Sequence, residues 1–232
     1  MKKILILLLA SLAGSLGLGA APQQASDTQV EKVLVIFKTH LDIGFTDLSS
    51  KVEQRYIDYY IPKAIEVARR LREEGGDERY VWTTGAWLVD AYLRQATPEA
   101  AAELEEAIRR GDIVWNGVPY TVESESMNRA LFEGILRLSQ RLDARFGKHT
   151  SAAKMTDVPG HTRSIVPLLS EAGIGFLHVG TNPAVSVPDV PSVCRWRDPA
   201  SGREIILMYQ GSYGDTMLLP DGRTAESINL TG

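Results

Sequence analysis

A single cysteine, Cys194, stands among the 232 residues, so the chain can close no internal disulfide. Basic residues are also scarce: 25 Lys and Arg stand against 29 Asp and Glu, a formal net charge of −4, with no run of Lys and Arg. A surface that neutralises phosphates needs a basic patch or stripe, and nucleic acid is excluded as a partner on that ground. Beyond the N-terminus no apolar run is long enough to cross a bilayer.

The N-terminus itself is the exception. Lys2 and Lys3 precede "ILILLLASLAGSLGLGA", and the small, polar "APQQASDTQ" follows. A basic start, a short apolar stretch and small residues form the pattern of a secretory signal peptide, placed here at residues 1–21 with a linker over 22–30. No cysteine follows the run, which argues against a lipoprotein anchor, and its Gly and Ser favour cleavage over a retained membrane anchor. Without Lys2 and Lys3, 23 basic residues face 29 acidic ones, a net −6. The expected product is mildly acidic, without a stable membrane anchor, and secreted or periplasmic in a bacterium.

With 44% hydrophobic and 23% charged residues, the remainder can bury a sizeable core. "KVLVIFK" is a continuous apolar run, as in a parallel strand buried on both faces. Helical spacing follows at Val52, Tyr56, Tyr60, Ile65, Ala68 and Leu71, with a break or kink expected at Pro62 and a stop at Gly75-Gly76. "RYVWTT" reads as a second strand and "TPEAAAELEEAIRRGD" as a helix capped by Thr97 with Pro98 at its first position. "DIVWNG" is a third strand, and "NRALFEGILRLSQRLDARFG" a helix with Ser126 as its expected cap. "SAAKMTD", "TRSIVPLLSEAG" and "GFLHVG" continue the alternation as strand, helix and strand. "CRWRD" and "REIILMYQ" flank "PASG" as a β-hairpin, and "DGRTAESINLTG" shows no closing helix or strand. Strand–helix alternation of this length predicts an α/β fold with a parallel sheet or barrel.

Ligands in such folds bind beyond the carboxyl ends of the strands. His40 and Asp42 lie just after the first strand, in "FKTHLDIGFTD". Asp157 lies just after the fourth, in "KMTDVPGHT". Buried without partners, His40 and Asp42 would be costly, so either polar groups satisfy them or they hold a metal. The three residues together offer the mixed nitrogen and oxygen donors that zinc accepts at roughly 2.0–2.2 Å. His161 follows Pro159-Gly160 in a loop, and its expected task is to orient the turn or a metal ligand. Glu123 and Glu125 read as solvated residues ahead of a helix, His149 as a surface residue and His178 as a satisfied core histidine. Phe45, Trp87, Trp115 and Tyr120 could each stack on a sugar ring or fill the core, with Phe45 the strongest candidate because it adjoins His40 and Asp42.

The order "KTHLDIGFTD", "VWTTGAWLVDAYL", "RRGDIVWNGVPYTVESESMN", "KMTDVPGHTRSIVPLLSEAGIGFLHVG" resembles the N-terminal catalytic barrel of glycoside hydrolase family 38, the zinc-dependent α-mannosidases. It looks closest to a secreted branch of that superfamily. The resemblance implies an incomplete (β/α) barrel over 31–232, of the type shared with polysaccharide deacetylases, ending in the β-hairpin. It implies that His40, Asp42 and Asp157 bind Zn²⁺ and that Asp157 is also the nucleophile. The reaction would be retaining hydrolysis of α-linked sugars through a glycosyl-enzyme, with Phe45 against the carbohydrate substrate. The family usually has tryptophan where Phe45 stands, and Asp-Pro-Phe-Gly-His where this chain reads Asp157-Val158-Pro159-Gly160-His161. The family's fourth zinc ligand and its acid/base aspartate fall farther along than Gly232, so the chain reads as part of a longer hydrolase. Two other readings are a metal-dependent polysaccharide deacetylase and a non-catalytic secreted carbohydrate-binding protein.

Overall fold

The computed structural model describes residues 36–182, 184–186, 188–210, 216–218 and 224–226. All of them fall within one compact unit that begins at Ile36. The signal peptide and linker expected over 1–30, and most of "KVLVIFK", lie outside the described residues.

The fold is mixed α/β with two parallel sheets. In the first, β1 (Phe37–Lys38), β2 (Trp82–Gly85) and β3 (Ile113–Asn116) run parallel in that order. In the second the order is β4-β5-β7-β6, formed by β4 (Ala152–Val158), β5 (Phe176–Thr181), β6 (Val193–Arg197) and β7 (Glu204–Gln210). There β4, β5 and β7 are parallel, and β6 pairs antiparallel with β7. The sheets meet where Gly117, just past β3, donates its N–H to the carbonyl of Ala152 at 2.9 Å. A short antiparallel pair, β8 (Thr216–Leu218) with β9 (Thr224–Glu226), corrects the expectation that the last residues carry no strand.

Alternation assigns the faces. Trp82, Ile113 and Trp115 turn into one core with the helices, while Ala153, Met155, Leu177 and Val179 turn into a second. The intervening residues, Thr83, Val114, Lys154, Thr156 and His178, therefore share the opposite face.

Helices α1 (Ser49–Arg55), α2 (Ile61–Glu73), α3 (Ala86–Gln95), α4 (Pro98–Arg110), α5 (Arg129–Phe146) and α6 (Ile165–Glu171) cover the core faces. The α-helical run is interrupted just before Pro62, where a break or kink is expected, and it resumes without leaving the helix. A π turn over Tyr56–Tyr60 comes immediately before α2, with Ile61 N–H bonded to the carbonyl of Tyr56. Pro62 has no N–H for the carbonyl four residues back, and the widened turn seats it at the start of α2. Thr97 caps α4 as expected, accepting from Ala100 N–H at 3.3 Å, and Gly111 closes it at φ 85°. The cap of α5 is Asn128, which accepts from Leu131 N–H at 2.9 Å. Ser126, the expected cap, instead ends a 3₁₀ turn at Ser124–Ser126. Among the described residues no helix is long and apolar enough to cross a membrane.

Candidate functional site

His40 and Asp42 follow β1 at one edge of the first sheet, and Asp157 sits in β4 at one edge of the second. Their side chains converge. His40 Nε2 lies 3.2 Å from Asp42 Oδ1 and 3.4 Å from Asp157 Oδ2. One donor atom from each residue falls within 4.8 Å of the others. Two carboxylates directed at one imidazole nitrogen need a cation between them, either a proton or a metal ion. The other ring nitrogen, Nδ1, is within hydrogen-bond distance of Thr156 Oγ1 at 3.2 Å. That bond fixes the plane of the imidazole from the neighbouring sheet.

Asp157 owes its aim to a distorted backbone. The pairing of β4 with β5 slips between Thr156 and Val158, and Asp157 occupies the slip at φ 66°. A bulge residue in the left-handed region turns its side chain out of the strand's alternation. Asn182, just past β5, holds the result in place: its Nδ2 donates to Asp157 Oδ1 at 2.7 Å. The Asn182 carbonyl oxygen accepts from Ala184 N–H at 2.8 Å, which sets the amide orientation. One carboxylate oxygen of Asp157 is thus held by Asn182, and the other faces His40.

His40, Asp42, Thr156 and Asp157 line a cleft of about 520 Å³. Its walls include Trp87, Tyr120, Asn116, Thr84 and Lys154. Gly85 is there for space: a Cβ would stand 2.2 Å from the carbonyl oxygen of Pro119, so only glycine lets the loop after β3 close over β2.

The aromatic candidates separate. Trp87 and Tyr120 line the cleft. Trp115 is core, its Nε1–H donating to Asp143 at 2.9 Å. Phe45 stands on the loop after Asp42 with 86% of its surface exposed. His161 accepts or donates at Nδ1 to Ser124 Oγ at 3.2 Å, and so ties the loop before α6 to the 3₁₀ turn. Burial pushes its imidazole down to about 4, against the opposing pull of Glu125. Glu123, Glu125 and His149 are exposed. His178 is satisfied on both nitrogens, by Lys154 and by Gln210.

Lys154 and Asn182 are functional candidates that sequence reasoning passed over. The signal for Lys154 was present, since a lysine between Ala153 and Met155 falls on the face opposite the core. Asn182 had no such signal, because its role depends on the bulge at Asp157.

Comparison with known proteins bears on the same residues. The chain is similar to an alpha-mannosidase from Enterococcus faecalis V583, with a TM-score of 0.61 at 13% identity, over 75% of this chain and 19% of that one. It is similar to a protein in the Glycosyl Hydrolase Family 38 from Enterococcus faecalis, with a TM-score of 0.56 at 11% identity, over 75% and 18%. A 4-alpha-glucanotransferase from Thermococcus litoralis gives a TM-score of 0.51 at 16% identity, over 75% and 27%. The chain therefore spans about a fifth to a quarter of the length of these structures, and at such identities they share its fold. A search of the curated proteins finds no match. The sequence model described as "Glycosyl hydrolases family 38 N-terminal domain" matches residues 31–221, most of the chain, and includes His40, Asp42 and Asp157. The chain belongs to that family.

Proposed function

We propose that this chain forms part of the catalytic barrel of a zinc-dependent, α-mannosidase-like retaining glycoside hydrolase. The observation that carries the reading is the convergence of His40 Nε2 on Asp42 and Asp157 at 3.2 and 3.4 Å. Zinc bonds of roughly 2.0–2.1 Å in a tetrahedron place neighbouring donor atoms about 3.3 Å apart, which both His40 pairs fit, and the two carboxylates lie within 4.8 Å of each other. Curvature supports the barrel. A flat sheet would set β1 and β4, with β2 and β3 between them, about 14 Å from each other. His40 nevertheless reaches Thr156 across the concave face.

Bound zinc would supply Lewis acidity and orient sugar hydroxyls in the cleft. The chain's own residues do the rest. Asp157 is the attacking carboxylate: it forms a bond to the anomeric carbon as the bond to the leaving oxygen breaks, and water later releases the sugar. Asn182 holds the other carboxylate oxygen still. Trp87 and Tyr120 offer faces to the ring from the cleft wall, and Phe45 offers one from the loop beside it. The acid that protonates the leaving oxygen is assigned to no residue of this chain. Residues 1–21 are proposed as an export signal.

Two measurements test the reading. Zinc is expected to raise the melting temperature of the chain, and His40→Ala to abolish the rise; an unchanged melting temperature with zinc and with chelator would refute the metal site. The second uses para-nitrophenyl α-mannoside, whose phenolate leaves without being protonated. Nitrophenolate release is expected from the zinc-loaded chain and is expected to vanish in Asp157→Ala. Release that survives that substitution removes Asp157 as nucleophile.

A further inference from the structure

Lys154 lines the same cleft as His40, Asp42 and Asp157, three residues before Asp157 on β4. Its neighbour across the strand pair is His178 of β5. The hydrogen bonds around His178 define its proton. Nε2 lies 2.7 Å from Gln210 Oε1, an oxygen that can only accept, so Nε2 carries the hydrogen. Nδ1 is left as an acceptor, and the Lys154 ammonium donates to it. His178 is thus neutral, which agrees with the fall of its pKa to about 4 under burial, with Lys154 and Lys38 adding to it. It takes one of the three ammonium hydrogens and none of the charge.

The charges of the cleft can be balanced on the metal-bound reading proposed above, on which this inference rests. Asp42, Asp157, His40 and Lys154 are its lining residues with side chains that could be charged near neutral pH. A divalent ion offsets the two carboxylates and keeps His40 neutral as a ligand. Among the described residues Lys154 then has no counter-charge lining the cleft, and none of their carboxylates forms an ion pair with it. Burying a charge so is costly unless a partner arrives or the proton leaves. Burial and the nearby Lys38 draw the Lys154 ammonium down to about 7. A sugar hydroxyl could accept its two remaining hydrogens but would leave the charge unbalanced; an anionic oxygen does both.

We propose that Lys154 makes this cleft selective for a sugar carrying an anionic substituent, a carboxylate or a phosphate. The site is built for it: His178 and Gln210 fix the direction of the ammonium, and the proposed metal ligands line the same cleft.

The test is calorimetric titration of the zinc-loaded full chain with three probes. These are methyl α-mannoside, its uronate, and the mannoside bearing a phosphate on its exocyclic oxygen. At least one acidic probe is expected to bind roughly ten-fold tighter than the neutral one, as a charge-assisted hydrogen bond implies. The acid preferred identifies the substituent. Lys154→Met is expected to erase the preference while leaving the zinc-induced thermal shift in place. Lys154→Arg is expected to keep the preference. Neutral sugar bound as tightly as both acids by the wild-type chain overturns the proposal and leaves the sugar site standing; this comparison needs no variant to fold. A preference that survives Lys154→Met overturns it equally. If zinc is held and none of the probes binds, the sugar-site reading itself falls, and this proposal with it.

Discussion

Asp157 is the residue at which chemistry and backbone conflict. It holds φ 66°, a region that costs an L residue roughly 1–2 kcal/mol, and among the described non-glycine residues it alone does so. Two substitutions that both remove the carboxylate therefore differ. Asp157→Gly accepts the bulge without steric penalty, whereas Asp157→Ala retains it. In urea unfolding of the zinc-free chain, the glycine variant is expected to be more stable than the alanine variant by about 1 kcal/mol, even though glycine ordinarily loses such comparisons. Equal stabilities, or the alanine variant ahead, would mean that the bulge relaxes when its carboxylate is gone. The three-residue cluster was legible in the sequence because its members lie at or just past the ends of strands, and strand ends share a rim in parallel α/β folds. The bulge was not legible. "KMTDVPGHT" carries no glycine at the position that turns left-handed, so nothing local announced the turn.

At the scale of elements, the helices reflect their punctuation. Thr97-Pro98 open α4 as read from the sequence, because cap preferences follow from which backbone groups are left unbonded, and Gly111 closes it. Pro62 marked the place of an irregularity but not its kind, because its missing N–H is a constraint with two solutions, breaking the helix or widening the turn before it. Asp112, directly after the α4 cap, is the structural tie that periodicity cannot show. It is 1% exposed, accepts from Arg72 Nε of α2 at 2.8 Å and from Arg110 Nε of α4 at 2.9 Å, and its backbone carbonyl accepts from Trp82 N–H of β2 at 2.8 Å. Burial alone would raise its pKa, but the two guanidiniums more than reverse this and hold it below the usual carboxylate range. The sign follows from linkage: the folded state resists protonation more than the unfolded one, so the stabilisation is present above about pH 4 and is lost as the pH falls through that range. Asp112→Ala is expected to cost about 3 kcal/mol at neutral pH, since it leaves two guanidiniums facing a buried gap. Thermal unfolding across an acid titration should also show a shallower acid slope in the variant. A neutral-pH loss below about 1 kcal/mol would reduce Asp112 to a surface pair.

For the whole molecule, the alternation of strands and helices made the α/β class readable, and the division into two sheets joined at Gly117 and Ala152 was not. Hydrophobic pattern tells each strand which face to bury but not where a sheet's pairing is interrupted. The proposed zinc ligands come from both sides of that interruption. Zinc is accordingly expected to slow amide hydrogen exchange at β1 and β4 together, while the exchange of α4, whose capping is local, stays nearly unchanged. Protection confined to one sheet would show that the ion does not bridge them.

The position of Asp157 has one more implication, for the order of events in a growing chain. His40 and Asp42 emerge from the ribosome early, and their third companion, Asp157, is polymerised only after β2, β3 and the helices between. Two donors alone grip a cation weakly. An ion taken up before β4 is made has nothing to keep it, so nascent chains of different lengths should gain tight metal retention in one step, once β4 can dock.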